Sequence, residues 1–453
     1  MKKKFLALVM TLSMVLSLVP MTALAAEGGT APATQEGQSV GAAANEGKQD
    51  SGSNTGANNA SGGDNTDTNT GTGENKDQNS ESGSTGGTAP GSPSKPEGGD
   101  AGTTTPPESS NKVAKIVGTD AEYETLDEAI EAATDGATIE LLQDVTPTKT
   151  FSKSLTFTGG HAINFNVYGW RYTGDLVLDG AHLNIINDQS SRQADNGEAG
   201  RWFTMCLAGS ITAKNQAVIS FVIDSDSGAN CAIYMDEHAQ VMINVESGSR
   251  FSITGKNTKG KGGQGIQLGN TENTGIYVSE NSEFLIDGTN RGYVNSPTIR
   301  VEDSTFTVKN CTSNASNGGQ FVAINSDVNF IDNAGHGLSA STLTSENSNF
   351  NCSGNAYYGI AVAGDLSVDG ESNITANKNG TGFTGGGLRL GTSKTIGKMN
   401  GTIVEGATLT LKENSRNALE NYGNLTIQPG VDTKILKNKE PQKVVGVSIT
   451  EEH

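Results

Sequence analysis

Basic residues, aromatic residues and cysteines are all scarce in this chain of 453 residues. Lysine and arginine together number 31 against 50 aspartates and glutamates, so the formal net charge is −19. Such an acidic chain repels the phosphates of nucleic acids and of anionic membranes, so neither is expected as a partner. The cysteines do not have the spacing of a zinc site; they are Cys206, Cys231, Cys311 and Cys352.

The apolar run at the N-terminus is too short to span a membrane. Lys2, Lys3 and Lys4 precede an apolar stretch from Phe5 to Leu18, and Ala23-Leu24-Ala25 has the small residues of a cleavage site. The stretch has about 14 residues, whereas a membrane-spanning helix needs about 20. This pattern predicts a signal peptide over residues 1–26 and a mature protein that is secreted or held at the cell surface, without inserting into a membrane.

Residues 27–112 contain no phenylalanine, tryptophan or tyrosine, and Val40 is their one large aliphatic residue. Glycine, serine, threonine, asparagine and alanine dominate instead. Such a segment cannot bury enough apolar surface to offset its chain entropy, so we predict a disordered linker with a mean reach of about 50 Å. The linker carries a net charge of −8 and residues 1–26 carry +3, which leaves −14 of the total −19 for the residues from Val113 onward.

One three-residue pattern occurs seven times between about Asn244 and Asn414: a small or polar residue, any residue, and a large apolar one. Its apolar positions are Phe251, Phe284, Phe306, Phe330, Phe350, Ile374 and Leu409. From Phe284 to Ile374 these positions advance along the sequence in steps of 22, 24, 20 and 24. Most copies follow a second short strand, as at residues 275–278, 298–301, 321–324, 359–362 and 387–390. This period predicts a solenoid of β-coils around an apolar core.

Asparagines and longer loops complete the predicted coils. Asparagine tolerates a left-handed backbone, so five asparagines after the apolar positions are interpreted as turn residues rather than ligands; they are Asn310, Asn333, Asn355, Asn377 and Asn414. Leu183, Val218, Phe251 and Phe284 follow one another in longer steps of 35, 33 and 33, which predicts extra loop residues in each early coil. Binding residues usually lie on such loops.

A short helix is predicted immediately before the first coil. Thr125-Leu126-Asp127-Glu128 has the pattern of a capping box, and the apolar face consists of Leu126, Ala129, Ile130 and Ala133. The helix is expected to stop at Asp135-Gly136, and residues 137–142 are predicted to form a strand. An open solenoid exposes its core and its strand edges at its end, so the helix is interpreted as a cap.

The coil period, together with the segment YETLDEAIEAATDGATIEL at residues 123–141, resembles the pectate-lyase-like superfamily. The resemblance implies an all-β fold, a right-handed parallel β-helix with a short N-terminal capping helix, over residues 113–440, with a short tail at residues 441–453. The superfamily contains polysaccharide lyases, glycoside hydrolases and non-catalytic adhesins of bacterial surfaces. The resemblance therefore specifies the architecture and leaves the function open.

The bulky loop residues are concentrated in two early segments, whose separation in the sequence is close to the local coil period. These candidate binding residues are Tyr168, Trp170, Arg171, Tyr172, Arg201 and Trp202. An aromatic ring beside a charged donor suits a sugar, which stacks on the ring and bonds the guanidinium. The alternative, slightly favoured, is that both tryptophans fill the wider N-terminal part of the core.

Cys206 and Cys231 are separated in the sequence by nearly one coil, so a disulfide between stacked coils is one interpretation. Cys311 and Cys352 are about two coils apart, which is too far for a disulfide. Buried free thiols are the favoured state for all four cysteines.

Motifs for catalysis are incomplete. Gly335-His336-Gly337 resembles a segment of polygalacturonases, but the paired aspartates that supply acid and base are missing, so His336 is interpreted as a turn residue. Pro297-Thr298-Ile299-Arg300 matches half of a pectate lyase pattern, whose first arginine is replaced by Asn295. Asp224, Asp226, Asp236 and Glu237 fail the EF-hand spacing and are interpreted as surface acids. No cofactor is expected, with calcium kept as an alternative.

Two functions compete. The favoured one is an extracellular, non-catalytic adhesin or glycan-binding protein, whose partner is a polysaccharide or a cell-surface glycan. It rests on export, the long linker, the acidic solenoid and the incomplete motifs. The alternative is a secreted polysaccharide lyase or glycoside hydrolase that acts on acidic polysaccharide.

Overall fold

The computed structural model describes residues 111–444 and 450–451, apart from residues 189, 196–202, 225–230, 237–238, 257–262, 270–272, 296–297 and 383. The chain divides into two compact units, residues 1–100 and 101–453, and every described residue belongs to the second. The predicted signal peptide and nearly all of the predicted linker lie outside the described residues.

The N-terminal third of the described chain contains one helix, α1 (Leu126–Ala132), and twelve strands. The strands are β1 (Ala114–Ile116), β2 (Glu122–Tyr123), β3 (Ala137–Leu141), β4 (Leu155–Thr158), β5 (Ala162–Tyr168), β6 (Trp170–Tyr172), β7 (Leu176–Asp179), β8 (His182–Asp188), β9 (Arg192–Gln193), β10 (Phe203–Leu207), β11 (Ile211–Lys214) and β12 (Val218–Asp224).

The described residues of the middle part form strands and no helix. They are β13 (Cys231–Met235), β14 (Met242–Val245), β15 (Arg250–Gly255), β16 (Gln264–Gln267), β17 (Gly275–Val278), β18 (Glu283–Asp287), β19 (Tyr293–Val294), β20 (Thr298–Glu302), β21 (Thr305–Lys309), β22 (Ser316–Asn317), β23 (Gln320–Ile324) and β24 (Asp327–Ile331).

The C-terminal part continues in the same way. Its strands are β25 (Leu338–Ala340), β26 (Thr342–Glu346), β27 (Asn349–Asn351), β28 (Ile360–Val362), β29 (Leu366–Val368), β30 (Asn373–Thr375), β31 (Gly386–Leu390), β32 (Asn400–Ile403), β33 (Thr408–Lys412), β34 (Asn417–Asn421), β35 (Asn424–Ile427), β36 (Asp432–Leu436), β37 (Glu440–Val444) and β38 (Thr450–Glu451).

The strands form four long sheets in which each coil contributes one strand to each side. Sheet 1 has 15 strands from β2 to β38, and sheet 2 has 12 strands from β9 to β36. The third side is sheet 3 in the earlier coils, with six strands from β6 to β22, and sheet 4 in the later ones, with five strands from β25 to β37. The coil strands pair in parallel, whereas β1 pairs antiparallel with β2 and β3. The predicted right-handed parallel β-helix is confirmed.

The core of the β-helix is built from stacked like residues, because equivalent positions of successive coils lie one strand spacing apart. Phe251, Phe284 and Phe306 occupy paired strand positions and stack with ring centroids 5.0 Å apart, and Phe221, two residues beyond the strand partner of Phe251, extends the stack at 5.9 Å. All four rings are fully buried. The predicted columns of apolar side chains are therefore present.

Polar ladders satisfy the backbone at two turns. Backbone N–H groups donate to the hydroxyl of the serine one coil ahead, and the accepting residues are Ser249, Ser282, Ser304, Ser326, Ser348 and Ser372. A second ladder runs through side-chain amides, with the accepting residues Asn333, Asn355, Asn379, Asn414 and Asn438. Asn333, Asn355 and Asn414 lie between strands, as predicted, but of the five asparagines only Asn310 adopts a left-handed φ, of 55°; at the other three turns the left-handed residue is the one before, Asp332, Gly354 or Glu413.

The helix α1 has the predicted capping box, in which Thr125 and Glu128 each bond the other's backbone N–H. Its predicted apolar face is buried. The ammonium group of Lys153, on the next coil, donates to the carbonyl oxygens of Ile130, Glu131 and Ala133 at 2.7–3.0 Å. These bonds satisfy carbonyls that a helix end leaves open.

The strand pairing in the structure differs in three places from the repeat that was predicted from the sequence. Phe306 pairs with Val328, not with Phe330, so each step from Phe284 through Phe306 and Val328 to Phe350 is a constant 22. In the early coils the partner of Leu183 is Ile219 rather than Val218. The second strands also belong to two classes, since those at 275–278, 298–301 and 321–324 lie in sheet 1 and those at 359–362 and 387–390 in sheet 4.

Candidate functional site

Trp170 and Tyr172 lie in the core of the β-helix. Both are fully buried, and the Trp170 ring packs against Phe151 and Phe165 at centroid distances of 5.3 and 4.8 Å. The indole N–H donates to the carbonyl of Phe151 at 2.7 Å, and the Tyr172 hydroxyl to that of Lys153 at 2.6 Å. This burial agrees with the core interpretation, because no face of either ring is open to a sugar.

The other predicted binding residues are not gathered into one site by the described structure. Arg171 forms an ion pair with Asp236, two coils farther on, and Tyr168 is half-buried. Arg201 and Trp202 lie outside the described residues.

Sheet 4 carries a cluster of aromatic and charged side chains that the sequence analysis did not assemble. His336 and Tyr358 each lie two residues before paired strand positions of adjacent coils, so their side chains stack. Their ring planes differ by 4°, with centroids 5.8 Å apart. On the next coil, the guanidinium carbon of Arg389 lies 4.7 Å from the centroid of the Tyr358 ring. The centroid of the Tyr357 ring lies 5.2 Å from that of His336.

Glu420 anchors this cluster from the coil after Arg389. The residue is only 6 % exposed, and its carboxylate accepts hydrogen bonds from the hydroxyl groups of Tyr358 and Tyr422. The side-chain amide of Asn417 donates a third bond at 3.2 Å. A buried carboxylate requires such donors, so Glu420 orients both tyrosines. We call these residues the tyrosine–arginine cluster: His336, Tyr357, Tyr358, Arg389, Asn417, Glu420 and Tyr422.

Burial and neighbouring charges set the protonation of the cluster. Burial, and to a lesser degree Arg389, lowers the pKa of His336 to about 4, so its imidazole is neutral at neutral pH. Burial and the bond to Glu420 raise the pKa of Tyr358, and the bond to Glu420 is the larger cause of the raised pKa of Tyr422. Both hydroxyls therefore remain protonated donors.

The cluster combines the groups that sugar recognition uses. The Arg389 guanidinium is held by its cation–π contact, and its Nε atom is buried without a hydrogen-bond partner among the described residues. Tyr357, beside His336, and Tyr422, bonded to Glu420, are both half-buried. His336 and Arg389 lie on different coils, and only the coil register brings them together.

The structure also places the remaining candidate residues. Among the described residues, no three His, Cys, Asp or Glu side chains are grouped as a metal site would require. All four cysteines are buried free thiols, as predicted. Within the described part of the chain, no helix is long and apolar enough to cross a membrane.

Comparison with known proteins gives no match: no family model, no curated protein and no solved structure matches this chain.

Proposed function

We propose that this protein is an extracellular, non-catalytic adhesin or glycan-binding β-helix of the pectate-lyase-like superfamily. The observation that carries the proposal is the Arg389 guanidinium held over the Tyr358 ring, beside two further tyrosines. Sugars bind where an apolar ring face adjoins fixed hydrogen-bond donors. The signal peptide and linker predicted from the sequence fit a binding domain displayed outside the cell.

The chemistry of the cluster favours binding over hydrolysis. Glycoside hydrolases use two carboxyl groups that flank the scissile bond. Among the described residues of the cluster, the one carboxylate belongs to Glu420, which three donors already engage. Its role as an anchor for the tyrosines accounts for these bonds.

A polysaccharide lyase is the second candidate, because the cluster places an arginine beside a histidine and tyrosines. β-Elimination requires a group that neutralises the uronate carboxylate, a base for the adjacent C–H and an acid for the leaving oxygen. Arg389, neutral His336 and a protonated tyrosine correspond to these three groups.

One experiment separates the two candidates. A panel of plant and host polysaccharides is scored for binding, and for new reducing ends and unsaturated products, with and without calcium. We expect binding without turnover, weakened about tenfold or more by Arg389→Ala, since loss of a binding hot spot exceeds about 1.4 kcal/mol. The control is Arg192→Ala, an arginine paired with Asp195 near the N-terminal end of the β-helix. Unsaturated products would establish the lyase instead.

A further inference from the structure

Sheet 2 presents a second polar surface, away from the tyrosine–arginine cluster. Four exposed or half-buried side chains stand in register on successive coils, at Thr305, Asp327, Asn349 and Asn373. A groove of about 690 Å³ runs along this row, and a second depression of about 570 Å³ shares Thr305, Asp327 and Asn349 with it. We call the row and its groove the asparagine face.

The amides of the asparagine face are held in a fixed orientation. Asn349 donates from Nδ2 to the Oδ1 atom of Asp327 at 2.9 Å, and Asn373 donates in the same way to Asn349 at 2.8 Å. Each amide thereby uses one N–H, while its second N–H and further lone pairs of its oxygen remain. Donors and acceptors that are already ordered lose little entropy when they bind a ligand.

This row differs from the buried asparagine ladder of the same coils. The side chain of Asn355 accepts from the backbone N–H of Asn333 and donates to the carbonyl of Phe330, so it completes the backbone. The hydrogen bonds just given for Asn349 and Asn373 join exposed side chains to each other. They satisfy no buried backbone group, and this leaves the row available for recognition.

The spacing of the face matches a linear polymer. The coils from Phe284 to Phe350 repeat at a constant step along the sequence, so the rungs lie directly above one another at about 4.8 Å, the spacing of adjacent strands. An extended β-linked sugar chain advances by about the same distance with each residue. The four side chains of the row, one on each coil, would therefore contact about four consecutive sugars.

The charge of the face selects against acidic ligands. Glu283, Asp303 and Asp327 line the two depressions, whereas Lys378 is the one basic residue of the larger groove. Like charges across an interface weaken association, so a uronic acid polymer is disfavoured here.

We propose that the asparagine face binds a neutral, linear, β-linked polysaccharide that lies parallel to the helix axis, with one sugar residue on each coil. The proposal rests on the proposed glycan-binding function and assigns it a second surface with its own ligand class.

The test is a titration of the mature full chain with cello-, xylo- and manno-oligosaccharides of two to eight sugars, and with oligogalacturonides as the acidic series. We expect affinity for a neutral series to rise with length up to about four sugars and then to level off. Asn349→Ala and Asn373→Ala should each weaken binding about two- to tenfold, the loss expected for a hydrogen bond of about 0.5–1.5 kcal/mol. The melting temperature should not change, because surface substitutions cost little.

Asn184→Ala is the matched control, because Asn184 makes the same kind of amide bond to Asn164 on sheet 2, far from the groove. It should leave binding unchanged. Binding that ignores chain length, that prefers oligogalacturonides or that survives both asparagine variants would overturn the proposal. Binding that is lost only in Arg389→Ala would overturn it while leaving the proposed function in place. Failure of all these oligosaccharides to bind would overturn it, whereas the proposed function is overturned only if the panel of plant and host polysaccharides also shows no binding.

Discussion

The hydroxyl group of Tyr358 donates a hydrogen bond to the carboxylate of Glu420, two coils farther along the β-helix. Tyr358→Phe should lower the free energy of unfolding by about 1–3 kcal/mol, because a buried carboxylate loses a donor. Tyr422→Phe should cost less, since Tyr422 is half-buried and water can replace its hydroxyl. Denaturant unfolding of both variants measures the difference. Equal stability of Tyr358→Phe and the parent chain would show that the bond contributes nothing.

The His336 imidazole makes stability depend on pH. Its pKa of about 4 in the folded chain lies below the ordinary 6.5, because the ring is buried and faces Arg389. Between these values the unfolded chain binds a proton that the folded chain does not, so the free energy of unfolding falls as the pH decreases from 6.5 to 4. The whole difference is at most about 3 kcal/mol and is reduced by the partial exposure of the ring.

Comparison with His336→Asn isolates this contribution from that of the carboxylates. We expect the stability of the parent chain relative to the variant to decrease as the pH falls from 7 to 4. A difference that stays constant over this range would rule out the lowered pKa.

The buried asparagine ladder should contribute more to stability than the exposed row. Asn355→Ala removes the acceptor for two N–H groups of Asn333 and leaves buried groups unsatisfied, so we expect a loss of about 2–5 kcal/mol. Asn349→Ala is the control and should change stability by about 0.5 kcal/mol or less. Thermal and denaturant unfolding measure both variants, and similar losses at the two positions would contradict the assignment of separate roles.

The four buried thiols should be unreactive in the native protein. Burial raises the pKa of Cys231 and Cys311 to about 12, and that of Cys352 is raised as well. Because the thiolate is the reactive form, a water-soluble thiol reagent should label no cysteine at pH 8 and all four in denaturant. Rapid labelling of the native chain would show that a thiol is exposed.

Removal of residues 113–136 should uncover the N-terminal end of the core. The deletion takes away β1, which pairs with β3, and the buried face of α1. A chain that begins at Ala137 should melt at a lower temperature and aggregate, because it exposes apolar side chains and a strand edge. Light scattering and calorimetry measure these effects. An unchanged melting temperature with a monodisperse solution would contradict a capping role.

The coil architecture was predictable from the sequence because each coil of a solenoid repeats the same local pattern of short strands and turns. The serine and asparagine turns and the capping box at Thr125 each act within one coil or between neighbouring coils. The apolar alternation of each strand identified the core side, but it did not select between Val328 and Phe330 as the partner of Phe306. Both alternate with polar residues, and only the pairing of whole strands distinguishes them.

The candidate sites depended on the tertiary structure. Trp170 stands next to an arginine, as aromatic residues of sugar-binding sites often do. Its ring nevertheless lies in the core of the β-helix. His336, Tyr358, Arg389 and Glu420 come from four successive coils of unequal length. The sequence alone determined the coil, because strands and turns follow from local pattern. The meeting of side chains from different coils was decided by the stacking register, which depends on the length of every intervening loop.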